Sequence, residues 1–195
     1  MIPLDLVLEN QHVLLRPLQE SDLLHLRRFM QEEPELWRYS LMPIFGPDDL
    51  QNYIRAALVG RAAGKEFPFI VWDKQQQMYA GSTRYYDIQY ANQMLQIGYT
   101  WIGKHFQGTL VNKSCKYLML EYAFDVLGMQ RVEFRADVRN QRSRQAMLSI
   151  GCRYEGILRS HMPLPEGNRR DSIILSILRT EWNDYARAGL LQKLQ

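Results

Sequence analysis

Six consecutive residues, Gln107, Gly108, Thr109, Leu110, Val111 and Asn112, stand between a run that reads as a strand and one that reads as a helix. A helix start leaves backbone N–H groups unpaired and concentrates partial positive charge, so a strand feeding directly into one makes a site for a pyrophosphate. A second polar helix start follows at Asn140, with Arg142 and Ser143 in its first turn. Arg142 is the cation there best suited to a phosphate, because a guanidinium neutralises charge that backbone donors leave. Lys113, Lys116 and Arg144 read as solvated surface. Other chemistries lack their residues: neither G-x-x-x-x-G-K-[ST] nor G-x-G-x-x-G occurs, and no pair of histidines or cysteines has metal-ligand spacing.

The flanking patterns position these residues. After Asn112, Cys115, Leu118, Met119, Tyr122, Ala123 and Val126 recur at three and four residues, the stripe of a helix packed on a sheet, and Gly128 ends it. Val132, Phe134, Ala136 and Val138 alternate with charged residues at the period of a half-buried strand. Asn140 caps a helix whose face holds Ser143, Ala146, Met147 and Ile150, with Gly151 as its stop. Upstream, Ser21 caps a helix through about Gln31, and Pro47, Asp48 and Asp49 begin another that buries Leu50, Tyr53, Ile54, Ala57 and Leu58. Strand-like runs at 67–72, 79–88 and 94–102 form an antiparallel meander that enters the polar loop. Between the two early helices, ELWRYSLMPIFG at 35–46 supplies either a pocket wall or core anchors through Trp37, Tyr39 and Phe45. Two more strands follow, from about Tyr154 and around Ser172 to Leu178. The segment at 180–194 then closes the domain as a helix or contacts a second copy of the chain.

At these residues the chain resembles the GNAT superfamily of acyl-CoA-dependent N-acyltransferases, in particular the branch that contains the ribosomal-protein alanine N-acetyltransferases. That family writes its pyrophosphate loop Q/R-x-x-G-x-A/G, here Gln107 to Asn112, with Leu110 at the usual glycine and Asn112 at the usual small residue. Residues 12–26 resemble its opening strand and first helix, and 139–155 the segment after its fifth strand. The resemblance implies an α+β fold: one GNAT-like domain over residues 1–195, with a mixed, mostly antiparallel twisted sheet flanked by helices in the order β-α-α-β-β-β-α-β-α-β-β. It implies transfer of an acetyl group from acetyl-CoA to a primary amine by direct attack in a ternary complex, without a metal. The acceptor is a protein N-terminus or a small-molecule amine. Leu110, and Met147 where many relatives carry a tyrosine, keep a second reading open: a non-catalytic acyl-CoA sensor or partner-binding module.

The resemblance also assigns roles. The strand containing Tyr99, Thr100, Trp101 and Ile102 supplies the backbone donor for the oxyanion, and Trp101 and Ile102 hydrogen-bond the pantetheine arm through their main chain. Ser143 is the candidate proton donor to the departing thiolate, because Met147 has no proton to give. His161 leads the four histidines as the base that takes the proton of the amine, since an imidazole titrates near the working pH. Glu155 and Asp171 are alternative bases. His12 and His25 read as strand-edge and helix-surface residues, and His105 as a neighbour of the loop.

Composition fits one globular domain of enzyme size, with 195 residues, 46% hydrophobic and 23% charged. The net charge of +3 comes without a long Lys/Arg block, which argues against nucleic acid as the main partner. No apolar run approaches 18 residues and no leader pattern opens the chain, so the expected place is the cytoplasm and no membrane partner is expected. Cys115 and Cys152 read as buried thiols.

Overall fold

The structure, a computed structural model, describes residues 1–164 and 167–195. The chain opens with β1 (Leu8–Glu9) and β2 (Val13–Pro17), then α1 (Leu23–Glu32) and α2 (Pro47–Ala62). The meander follows as β3 (Phe67–Asp73), β4 (Met78–Gln89) and β5 (Met94–Ile102). After it come α3 (Leu110–Glu121), β6 (Arg131–Asp137), α4 (Gln141–Ser149), β7 (Arg153–Pro163) and β8 (Arg169–Leu178). A terminal helical segment runs through α5 (Arg179–Glu181), a π-helical turn and α6 (Arg187–Gln192). This is the expected α+β order with a short first strand and a terminal helix added. The eight strands form one sheet in the order β1-β2-β3-β4-β5-β6-β8-β7, antiparallel at every step except β5–β6. That parallel step needs a crossover, and α3 supplies it.

The first helix starts differently from the expectation. A 3-10 turn over Glu20–Asp22 precedes α1, and Asp22, not Ser21, organises it. The Asp22 carboxylate accepts from the Gln19 N–H at 2.8 Å and from both terminal nitrogens of Arg16. For α2 the expectation holds: Pro47 takes the first position, where a missing N–H does no harm, and Asp49 accepts from the Phe45 and Gly46 N–H groups.

Alternation along β4 shows which helices cover which face. The Tyr85 hydroxyl donates to the Met119 carbonyl of α3 at 2.6 Å, and Thr83 also meets α3, whereas Arg84 points the other way onto the Tyr53 ring of α2. So α1 and α2 cover one face and α3 the other. Val126 departs from the expected stripe: the helix makes a π turn over Tyr122–Val126, the extra residue rotates the face, and Val126 is 65% exposed. The terminal segment closes the domain, with Trp182 fully buried and stacked on Phe124 at 5.7 Å. Cys115 and Cys152 are buried free thiols, and burial pushes the Cys115 thiol up to about 12. Among the described residues no helix is long and apolar enough to cross a membrane.

Candidate active site

The site begins where the sheet opens. β5 and β6 pair only from Met94–Gln96 to Arg131–Glu133, and beyond that the two strands part. On its other side, β5 breaks register with β4: Ser82 faces Trp101 and Arg84 faces Gly98, so Tyr99 and Thr100 together stand against Thr83. This is a bulge, and Tyr99 takes a φ of +47°, an uncommon conformation for a residue with a side chain. Its surroundings hold it there. The Tyr53 hydroxyl donates to the Tyr99 carbonyl and accepts from the Trp101 indole N–H, each at 3.3 Å. The Arg84 guanidinium lies 4.1 Å from the Tyr99 ring centroid and 4.7 Å from that of Tyr53, and pairs with Glu66 at 2.6 Å.

A cavity of about 450 Å³ occupies the opening, a volume suited to a small ligand. All of residues 97–102 on β5 and 134–137 on β6 line it. Successive strand residues point to opposite faces, so the cavity passes through the sheet. Backbone groups of β5 that would otherwise bind β6 are left facing it, able to hydrogen-bond an extended ligand as a neighbouring strand would.

On the α3 face the lining includes Gln107, Gly108, Asn112, Asn140, Arg142 and Ser143. These come together because the Gln107 side chain donates to the Ile102 carbonyl at 2.8 Å and accepts from Arg142 Nη1 at 2.6 Å, tying the end of β5 to the start of α4. Asn140 caps α4 by accepting from the Ser143 N–H at 3.0 Å. Thr109 caps α3: its hydroxyl accepts from the Val111 N–H at 3.3 Å and donates to the Phe106 carbonyl at 2.7 Å. The first-turn N–H groups of Leu110 and Asn112 have no partner within the helix, which leaves them for an anion. Thr109, Leu110 and Val111 do not line the main cavity; they border a separate hollow with His12, Asp73 and His105. Gly108, at a φ of +78°, makes the turn before the helix.

On the α1–α2 face the wall is Leu36, Trp37, Tyr39, Ser40 and Leu41 from the linker, with Tyr53, Tyr86, Arg135, Asp137, His161 and Arg170. The linker is thus a cavity wall with Trp37 also in the core, but Phe45 is neither, being 81% exposed. His161 Nδ1 lies 3.0 Å from the Ser172 hydroxyl. Burial, then the charges of Arg135, Arg170 and Arg169, hold its imidazole below the ordinary 6.5. The alternatives lie elsewhere. Glu155 is bound by Arg131 and Ser176, and an Asp171 oxygen accepts from the Ser160 N–H, so neither reaches the cavity. His12 Nε2 lies 3.1 Å from the Leu194 carbonyl, His25 packs on the Tyr79 ring at a tilt and His105 meets Phe106 edge to face.

Lys116 corrects the surface expectation. It is 6% exposed, lines the cavity, and donates to Thr100 Oγ1 at 2.7 Å and Thr83 Oγ1 at 3.2 Å. Burial lowers its ammonium to about 8. One turn earlier on α3, Asn112 Oδ1 is buried without a hydrogen-bond partner among the described residues. The four-residue spacing of Asn112 and Lys116 was the available signal, but a polar pair on a helix gives no sign of whether it meets water or a cavity. Among the described residues no group of three or more His, Cys, Asp or Glu could hold a metal.

The family described as Acetyltransferase (GNAT) domain matches residues 12–153, well over half of the chain. Bacillus subtilis (strain 168) YdaF, provisionally named a ribosomal N-acetyltransferase, is 33% identical over 103 residues, covering 52% of this chain and 55% of that protein. The match thus spans about half the length of this curated relative. Among solved structures, a T. thermophilus protein provisionally named an acetyltransferase is 29% identical with a TM-score of 0.88, covering 100% of both chains. A GCN5-related N-acetyltransferase from Brucella melitensis is 26% identical with a TM-score of 0.89, covering 99% of this chain and 87% of the other. A bulged strand, a parallel neighbour splayed from it and a helix start at the mouth of the gap accompany the match, and this chain belongs to the GNAT acetyltransferase family.

Proposed function

We propose that this protein transfers the acetyl group of acetyl-CoA to a primary amine, a protein N-terminus or a small molecule, by direct attack in a ternary complex. The observation that carries the reading is the through-sheet cavity, with a helix start and Arg142 at one side and an aromatic wall at the other. The diphosphate lies against Gln107, Gly108, the α3 start and Arg142, and the pantetheine arm runs along the main chain of Trp101 and Ile102. A β5 N–H beyond the bulge stabilises the oxyanion that forms when the amine attacks the carbonyl carbon. His161 receives the proton of the amine as the C–N bond forms. The C–S bond breaks, and Ser143 passes a proton to the thiolate while its hydroxyl regains one from solvent, to which His161 releases the proton of the amine. These two residues reach the cavity from different elements, His161 from β7 and Ser143 from α4.

The test is calorimetric titration with acetyl-CoA, using desulfo-CoA and ATP as controls, then assay of CoA release with a panel of amines. Saturable binding that ATP does not reproduce, followed by amine-dependent release, is expected. Binding without release from any amine would favour the sensor, and no binding would remove the reading.

Two substitutions separate binding from chemistry. Gly108→Trp is expected to weaken acetyl-CoA binding by about tenfold or more, since an indole in the loop obstructs the phosphates and the left-handed turn disfavours any side chain. Unchanged affinity would take the loop out of the site. Ser143→Ala is expected to lower kcat by about tenfold with little change in acetyl-CoA affinity. Equal turnover of the two proteins would leave Ser143 as a residue of the capped first turn.

A further inference from the structure

An arginine stays charged at any pH at which a protein is folded, so burying one without an anion is unfavourable. Arg170 is in that position. It is 8% exposed, lines the α1–α2 side of the cavity, and its polar contacts are neutral: Nε donates to the Ser172 hydroxyl at 2.9 Å and Nη1 to the Tyr39 carbonyl at 3.4 Å. Among the described residues no carboxylate pairs with it within 4.0 Å. Asp137 is nearby, but its oxygens are taken by the Arg139 guanidinium at 2.9 and 2.7 Å. Glu133 is held between Arg131 and Arg135. Lys116, on the opposite face, relieves its own burial by losing affinity for its proton. Burial also holds Arg170 below the usual arginine range, with the Asp137 charge acting against that, but a guanidinium stays charged all the same.

The chamber around Arg170 is mainly aromatic and cationic, with Tyr39, Tyr86, Tyr99, Arg135 and His161 on its walls and Asp137 as the one acid among them. A polyamine placed there would meet guanidinium groups and find its counter-charge, Asp137, already paired. An amine that also carries an anion would complete the buried charge, because the arginine fork binds carboxylate or phosphate through two N–H donors.

We infer that Arg170 anchors an anionic group of the acceptor, so that the amine acetylated here sits on a molecule bearing a carboxylate or phosphate beside an aromatic or apolar body. The inference rests on the acetyl-transfer reading above and deepens it. Arg170 is then a specificity residue: it selects the acceptor and takes no proton.

The experiment is calorimetric titration of matched pairs into protein saturated with desulfo-CoA. L-phenylalanine against L-phenylalaninamide tests the carboxylate, and O-phosphotyramine against tyramine tests the phosphate. In at least one pair the anionic member is expected to bind about tenfold or more tightly than its twin, the scale of one charge-assisted bidentate contact. Arg170→Gln is expected to abolish that preference, and Arg170→Lys, which keeps the charge without the fork, to retain part of it, with melting curves confirming that both variants fold. The inference is overturned by equal binding within both pairs, by no binding of any of the four compounds, or by a preference that survives Arg170→Gln. Because desulfo-CoA saturation is measured first, its failure would remove the acetyl-CoA reading, whereas failure of the pairs alone would remove only the anion anchor.

Discussion

Exchanging His161 for glutamine is expected to lower kcat toward a primary amine by about 100-fold or more, while acetyl-CoA affinity stays within about twofold. The imidazole lies on the cavity wall and is pinned through Nδ1 to the Ser172 hydroxyl, which also accepts from Arg170 Nε. A hydroxyl oxygen has two lone pairs, so Ser172 has room to accept from Arg170 and from an Nδ1–H together, and the base role requires that tautomer, with the lone pair on Nε2. Burial and the arginine charges hold the folded pKa below 6.5, so the neutral form needed for proton removal persists below that pH. The rate should fall as pH drops through that lowered value and the imidazole becomes charged. The wild-type profile of kcat/KM is thus expected to show an acidic limb below pH 6.5, and His161→Gln to lose it. A glutamine variant that keeps both its rate and this limb would transfer the base role to water.

Much of this arrangement was legible in the residues themselves. The 94–102 strand was read from its pattern as the last run of the meander before the polar loop, and β5 has those limits. Asn140 and the face of Ser143, Ala146, Met147 and Ile150 carried the helix period, and all five residues line the cavity. What stayed hidden depends on partners distant in the chain. Lys116 follows Cys115 on a helix, and periodicity alone reads a lysine beside an apolar stripe as the solvated edge. Thr83 and Thr100 give it a buried polar seat, and they are brought there by strand register. Trp37, Tyr39 and Phe45 are similar residues close together in one linker, yet Trp37 is both core and wall, Tyr39 is wall and Phe45 is exposed, a difference that the linker's own pattern does not carry. Val126 fits the α-helical period, and a single π turn moved it to the surface. The anion-hungry Arg170 is a cross-strand and cross-loop construction, visible only once Tyr39 and Ser172 lie beside it.

Besides the contacts of Tyr53 and Arg84, the backbone that frames the site includes one close approach, and adding a methyl group there is expected to be severe. Gly81 of β4 has a φ of +151°, and a Cβ on it would stand 2.1 Å from the Trp101 carbonyl oxygen and 3.1 Å from Ile102 Cα. Both obstacles are main chain, so no side-chain rotation relieves the clash; β5 must move away or β4 must change conformation. Gly81→Ala is therefore expected to cost about 3 kcal/mol or more of folding stability, combining a disfavoured conformation with backbone overlap. The same displacement shifts the main chain of Trp101 and Ile102, so acetyl-CoA affinity should fall as well under conditions where the variant remains folded. Gly108→Ala is the contrasting case: a Cβ there meets nothing within 4 Å, and only the left-handed turn, worth about 1 kcal/mol, opposes it. Urea unfolding and acetyl-CoA titration of the two alanine variants measure the difference. A Gly81→Ala protein within about 1 kcal/mol of wild type would show that β4 and β5 can part at this point without loss, and that the bulge at Tyr99 is held by Tyr53 and Arg84 instead of by the contact at Gly81.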